Sequence, residues 1–179
     1  MNVIDAITNS IGMVPQTIIL DRHIDPYHNR TVITFVGPPA SVLQAAFQAV
    51  STASKLIDME QHDGVHPRIG ATDVVPFVPL SGSSMETCIR IAAELGKQVG
   101  DKLNIPVYLY GQAANNITRS NLANLRTGEY EGLRKSISVD PERHPDYGPK
   151  HLSSSGATAI GARTPLIAFN INLSTNDIL

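Results

Sequence analysis

Between His62 and Asp73 the chain reads His-Asp-Gly-Val-His-Pro-Arg-Ile-Gly-Ala-Thr-Asp, so two imidazoles, two carboxylates, a guanidinium and two glycines share one short polar stretch. Loops on rigid scaffolds are where sites are built. An imidazole with an ordinary pKa of about 6.5 can take and return a proton near neutral pH, which is what general acid-base work needs. His66 is the candidate for that role; the competing reading is a ring that caps a turn or bonds to backbone. His62 and His66 are four apart, a spacing that binds metal on one helix face, with Asp58, Asp63 and Asp73 as possible further ligands. Gly64 and Pro67 argue against such a helix, and the set matches neither a zinc signature nor an oxygen-rich calcium loop. A metal-dependent hydrolase is therefore the minor alternative, no metal is expected, and Asp58 and His62 are read as scaffold.

Two further clusters carry polar chemistry. Asp21-Arg22-His23-Ile24-Asp25-Pro26-Tyr27-His28-Asn29-Arg30 joins two predicted strands, and its carboxylates could orient a catalytic ring or simply shape a solvated connection. Tyr147-Gly148-Pro149-Lys150 through Ser155-Gly156-Ala157-Thr158, followed by Gly161-Ala162-Arg163, is rich in small residues that let a flat ligand approach the backbone. Taken as composition alone it says only flexible loop. Cys88 is the sole cysteine, which excludes an internal disulfide; within a helical pattern it reads as a small core residue. There is no Walker loop, no G-x-G-x-x-G after a strand, no G-x-S-x-G elbow and no zincin pair.

The elements that must position these residues alternate between helix and strand. Val3, Ile4, Ile7 and Ile11 have helical spacing up to Gly12; Thr17 to Leu20 and Thr31 to Val36 read as strands. Val42, Leu43, Ala46, Phe47, Val50 and Ile57 predict an amphipathic helix introduced by Pro38-Pro39. Asp58 to Gly70 is loop, Asp73 to Val78 strand, and Ser83-Ser84-Met85-Glu86 a capping box before Cys88, Ala92, Leu95, Val99 and Leu103. Pro106 to Tyr110 is a strand, Leu122 and Leu125 mark a short helix, and Pro165 to Leu173 is a closing strand. Thr127 to Gly161 reads as a long loop with a task. This order predicts one α/β domain (α+β, ferredoxin-like), with helices on one face of a mixed sheet and one strand too few for a complete split βαβ unit.

At 179 residues, with 42% hydrophobic and 17% charged residues, the chain has the composition of a folded domain. A net charge of -2 offers phosphate backbones no general attraction, so nucleic acid is not an expected partner. No apolar run reaches the roughly 20 residues of a membrane helix, and MNVIDAITNSIG is unlike a signal peptide. The expectation is a cytoplasmic protein without membrane contact.

Six blocks carry a resemblance. Asn29-Arg30-Thr31-Val32 with Thr34-Phe35-Val36-Gly37 comes first, then His66-Pro67-Arg68-Ile69-Gly70-Ala71-Thr72-Asp73 running on through Val74 to Pro79. Pro106-Val107-Tyr108-Leu109-Tyr110-Gly111, Gly128-Glu129-Tyr130-Glu131-Gly132-Leu133, Pro145-Asp146-Tyr147-Gly148-Pro149, and Gly161-Ala162-Arg163 through Ala168-Phe169-Asn170-Ile171-Asn172-Leu173 follow. In this order they resemble the N-terminal subdomain of the formiminotransferase family over nearly the whole chain, 1–179. The resemblance implies a folate-dependent transferase that moves the formimino group from N-formimino-L-glutamate to tetrahydrofolate in histidine degradation, with His66 as catalytic acid-base residue and tetrahydrofolate as co-substrate. It implies folate contacts at Tyr147, Gly148, Pro149 and Gly156, and substrate contacts among Asn29, Arg30, Arg68 and Arg163. Asp21 and Asp25 are carried as orienters, Asp25 standing in for an acid that some relatives have where this chain has His23. It also implies a sheet face open to a C-terminal subdomain or to self-association, an opening strand that this chain lacks, and little activity from the chain alone. A non-catalytic folate-binding or scaffold module of the same fold is the alternative.

Overall fold

The computed structural model describes residues 2–167. Helix α1 (Val3–Gly12) starts where the Asn2 side chain accepts the Asp5 N–H at 2.8 Å, and it buries Ile7 and Ile11, one turn apart. Strands β1 (Ile18–Asp25) and β2 (Arg30–Val36) form an antiparallel hairpin, so most of the expected connection at Asp21 to Arg30 is strand and only Pro26 to Asn29 turn. Its inner face presents Ile19, Ile33 and Phe35 to α1 and to α2 (Pro39–Leu56), where they meet Ile7, Ile11, Val14, Ala45 and Ala53.

The second strand set is parallel: β3 (Val74–Phe77), β5 (Thr158–Ala162) and β4 (Val107–Gly111), in that spatial order, with β5 central. Parallel strands need crossover connections; α3 (Met85–Leu103) lies in the one from β3 to β4, which leaves room between them for β5. The α3 cap is Ser84, whose Oγ accepts the Thr87 N–H at 3.2 Å. The cap is thus one residue later than the Ser83-to-Glu86 spacing suggests, with Thr87 where a capping box would have a glutamate. Leu95 and Val99 of α3 meet Val50 of α2 and Val107 and Ile160 of the sheet.

The opposite face of this parallel set carries Tyr108, Tyr110 and Ala159, covered by Ile69, by Leu125 of α4 (Leu122–Arg126) and by Leu133 and Ile137 at α5 (Glu129–Ser136). Both parallel and antiparallel pairing therefore occur, within an α/β architecture, but in separate strand sets. Helices α1 to α3 pack successively against one another, whereas α4 and α5 cover the other face of the parallel set, where the sequence predicts helices on one face only. The sheet face that stands open belongs to the hairpin, where Ile18 and Leu20 on β1 are 62% and 60% exposed.

Two further sequence expectations change. The long segment from Thr127 to Gly161 contains α5 and β5 instead of being one loop. The last described strand is Thr158–Ala162; residues 165–167 are irregular, and the rest of the expected strand from Pro165 to Leu173 lies outside the described residues. No helix among the described residues is long and apolar enough to cross a membrane.

Candidate functional site

The stretch from Asp58 to Asp73 has no regular secondary structure, yet it is fastened along its length. The Met59 N–H donates to Ser154 O at 2.7 Å, Ala71 N–H to Ser155 O at 2.9 Å, and Ala157 N–H to Ile69 O at 2.9 Å. Gly70 and Gly156 sit directly across from each other in this ladder. A Cβ on Gly70 would stand 2.1 Å from Ala157 O, and Gly156, at φ +72°, would place one 2.4 Å from Ile69 O, so only glycines fit. On the other flank the Tyr130 N–H donates to Arg68 O at 2.9 Å. The Arg68 side chain is 11% exposed and bonds Glu129 at 3.0 Å and Glu131 at 2.9 and 2.8 Å. Arg68 holds the Glu131 carboxyl down to about 2, chiefly by these hydrogen bonds. Its guanidinium is committed to joining the loop to α5.

The hairpin turn rests on the same loop. Asn29 Nδ2 donates to Asp63 O at 2.7 Å, and His62 Nε2 lies 3.3 Å from Asn29 O. Arg68 Nε lies 3.4 Å from His62 Nδ1, so both ring nitrogens of His62 face protein partners, consistent with a scaffold role. Beside this contact His28 Nδ1 meets Asp25 Oδ2 at 2.6 Å, and Asp25 Oδ1 accepts the His28 backbone N–H at 3.1 Å. That N–H is the main cause lowering the Asp25 carboxyl below its usual value, with the imidazole helping. Tyr27 stacks edge-on to the His28 ring, 5.1 Å between centroids.

His66 is half-buried at the meeting of these pieces and makes no hydrogen bond among the described residues. Burial lowers its pKa below 6.5; the positive charges of Arg126 and Arg30 lower it further, Asp73 opposes them, and His28 adds a smaller downward push. The shift favours the neutral form of the ring, whose nitrogens bond to no described residue. Arg126 pairs with Asp73 Oδ2, and Asp73 Oδ1 accepts the Ile69 N–H at 2.9 Å. Next to His66, Pro67 and Arg126 help line an open cleft of about 470 Å³ with Ala123, Thr127, Gly128 and Glu129.

The structure thus gathers Asp25, Asn29, Arg30, His66 and Arg68 of the expected residues around one loop. Arg30 is exposed and has no carboxylate partner among the described residues. The others lie elsewhere. Asp21 stands exposed on β1 opposite Thr34. Tyr147 packs against Gly96 and Gly100 of α3, and its O accepts the Val107 N–H at 2.9 Å. Gly148, at φ +83°, is pressed on Ile105 O, and Pro149 beside it is half-buried. Gly156 meets protein backbone, as above. Arg163 follows β5, where its guanidinium reaches the Tyr110 hydroxyl and Thr164 O. Sequence reasoning leaves out Arg126 and His28 as members of the cluster; the signal available is that Asp73 and Asp25, if partly buried, each need a donor. Among the described residues no group of three His, Cys, Asp or Glu converges as a metal cluster.

Comparison with known proteins follows the same residues. Residues 1–163 match the family model described as formiminotransferase domain, N-terminal subdomain. A glutamate formimidoyltransferase of Thermoplasma acidophilum is 47% identical over 98% of this chain and 58% of its own length. A formimidoyltransferase-cyclodeaminase of Mus musculus is 50% identical over 96% of this chain and 32% of its own length. A glutamate formimidoyltransferase of Streptococcus pyogenes serotype M1 is 42% identical, over 98% and 59%. The chain therefore spans less than two thirds of the length of these relatives.

Proposed function

The chain belongs to the formiminotransferase family, as its N-terminal subdomain, and on that premise we propose that it carries the acid-base machinery for folate-dependent formimino transfer. The donor is N-formimino-L-glutamate and the acceptor tetrahydrofolate; the products are 5-formiminotetrahydrofolate and L-glutamate. His66 accepts the proton of the folate N5 as that nitrogen bonds to the amidine carbon. It returns the same proton to the glutamate nitrogen as the carbon–nitrogen bond of the tetrahedral intermediate breaks, so one ring serves both steps. The observation that carries this reading is the setting of His66: a ring shifted toward its neutral form, without hydrogen-bond partners among the described residues, on the fastened loop and one residue before Pro67 in the cleft wall.

Other residues take roles that fit their surroundings. Arg30 is the arginine best placed to hold a substrate carboxylate, because Arg68 is already bound to two glutamates and Arg163 lies beside Tyr110. The His28–Asp25 pair borders the same space. In the segment from Tyr147 to Gly156, the anchors at both ends bind protein, which leaves the largely exposed stretch Lys150 to Ser154 to meet the folate. A C-terminal subdomain of the family would cover the open hairpin face, where Ile18 and Leu20 are exposed.

The test is formimino transfer and tetrahydrofolate binding measured together, with the family's C-terminal subdomain supplied. His66→Ala should lose transfer while retaining folate binding and thermal stability. Wild-type turnover in His66→Ala would remove the mechanism, and absence of folate binding by the wild-type pair would remove the substrate assignment.

A further inference from the structure

We propose that Arg126, gripped by Asp73 in the wall of the cleft beside Pro67, is a positioning residue that keeps His66 ready to accept a proton. The inference rests on the reading of His66 as the acid-base group. Arg126 is the last residue of α4, with its side chain 18% exposed, and its guanidinium pairs with Asp73 Oδ2. The other Asp73 oxygen accepts the Ile69 N–H, so the ion pair is tied to the backbone of the loop that carries His66. The remaining carboxylates on that wall, Glu129 and Glu131, are bonded to Arg68 and do not draw Arg126 away.

One detail marks the arrangement as more than a structural tie. Arg126 Nε is buried without a hydrogen-bond partner among the described residues. An unpaired buried donor is destabilising, and such groups in folded proteins call for an explanation. Independently of that donor, the guanidinium stays protonated throughout the range in which histidine titrates, so it is a permanent positive charge in the wall that Pro67 shares. The charged groups facing His66 are Arg126 from α4, Arg30 from β2, His28 from the hairpin turn and Asp73 ahead of β3. Among the charges, that of Arg126 acts most strongly, after burial itself. A neighbouring cation favours the neutral form of His66 before reaction and makes the ring a better acid once it has taken the proton, and both suit a ring that must return that proton to the leaving nitrogen.

The experiment is a titration of the His66 ring by NMR in the chain itself, which needs no turnover. Arg126→Gln should raise the midpoint toward the ordinary histidine value, Arg126→Lys should keep it low, and Arg134→Gln, which removes a surface pair with Glu60, should leave it in place. If Arg126→Gln does not fold, the double variant Arg126→Gln/Asp73→Asn removes both charges together and keeps an acceptor for Ile69; its midpoint should also rise. A midpoint that is unchanged or lower in whichever variant folds overturns the proposal. In the transfer assay, Arg126→Gln should lose about threefold or more in kcat/KM on the acid limb relative to the alkaline plateau, the size one charge change supports at a partly solvated site. A raised midpoint in Arg126→Gln together with no transfer by the wild-type protein would support the Arg126 assignment and remove the transferase reading, so the two ideas fail separately.

Discussion

Gly70→Ala is the perturbation whose outcome the structure fixes most tightly. The added methyl carbon would stand 2.1 Å from Ala157 O, 2.7 Å from Ala157 N and 2.8 Å from Ser155 O. All three are backbone atoms, so no side-chain rotation relieves the contact, and the His66 loop must separate from the serine-rich loop. Separation breaks the bonds from Ala157 N to Ile69 O and from Ala71 N to Ser155 O, at about 1 kcal/mol each. Overpacking strain adds about 1–3 kcal/mol. The sum, about 3–5 kcal/mol, is a large share of the roughly 5–15 kcal/mol that stabilises a typical domain. Equilibrium unfolding in urea is the assay, with the midpoint falling at unchanged slope. Gly132→Ala is the internal control: nothing beyond its chain neighbours and its own helix backbone lies within 4 Å of the place its methyl carbon would take on α5, and replacing a helical glycine should stabilise by about 0.5–1 kcal/mol. A Gly70→Ala midpoint equal to that of the wild type would refute the claim that this ladder holds the site.

Three further outcomes follow from the same geometry. Because the folded state lowers the His66 pKa below 6.5, the unfolded chain takes up that proton first as pH falls. The His66 contribution to stability should be complete above 6.5, decline below it and level off once the folded form is also protonated, which urea titrations at several pH values can trace. Arg68→Ala should lower stability near neutral pH by about 1 kcal/mol, since its carboxylate partners are largely solvated. It should also abolish the Glu131 contribution, which in the wild type is present above 4.5 and lost as pH falls toward about 2. Cys88 is 4% exposed and burial pushes its thiol up, so thiol reagents should react with it far more slowly in the native chain than in denaturant.

How legible each element is in the sequence depends on how it is buried. Helices α1 to α3 each bury one stripe, so apolar periodicity locates them; in α3 two adjacent serines offer equivalent capping oxygens and the spacing alone does not choose between them. The middle of β1, Leu20 to Ile24, is exposed throughout, so no alternation marks it. β5 is hidden in the sequence because a central strand buried on both faces here carries small residues, Thr-Ala-Ile-Gly-Ala, where Tyr110 needs room over Gly161. α5 buries only Tyr130 and Leu133 and contains a glycine, too weak a pattern to stand out. At the site, His66 is visible because its chemistry is packed into one continuous block. Arg126 is not, since it lies on a helix far along the chain and only folding brings it to Asp73. The small residues around Tyr147 and Gly156 do mark places of close backbone approach, but the partners that approach are α3 and Ile69.

The central claim, that His66 moves the proton in formimino transfer, is tested most directly by chemical rescue. His66→Gly, assayed with the C-terminal subdomain of the family present, should transfer formimino groups at least about a hundredfold more slowly than the wild type. Added imidazole should restore part of that rate, increasingly as pH rises and more of the free base is present. Wild-type turnover by His66→Gly without imidazole would contradict the account.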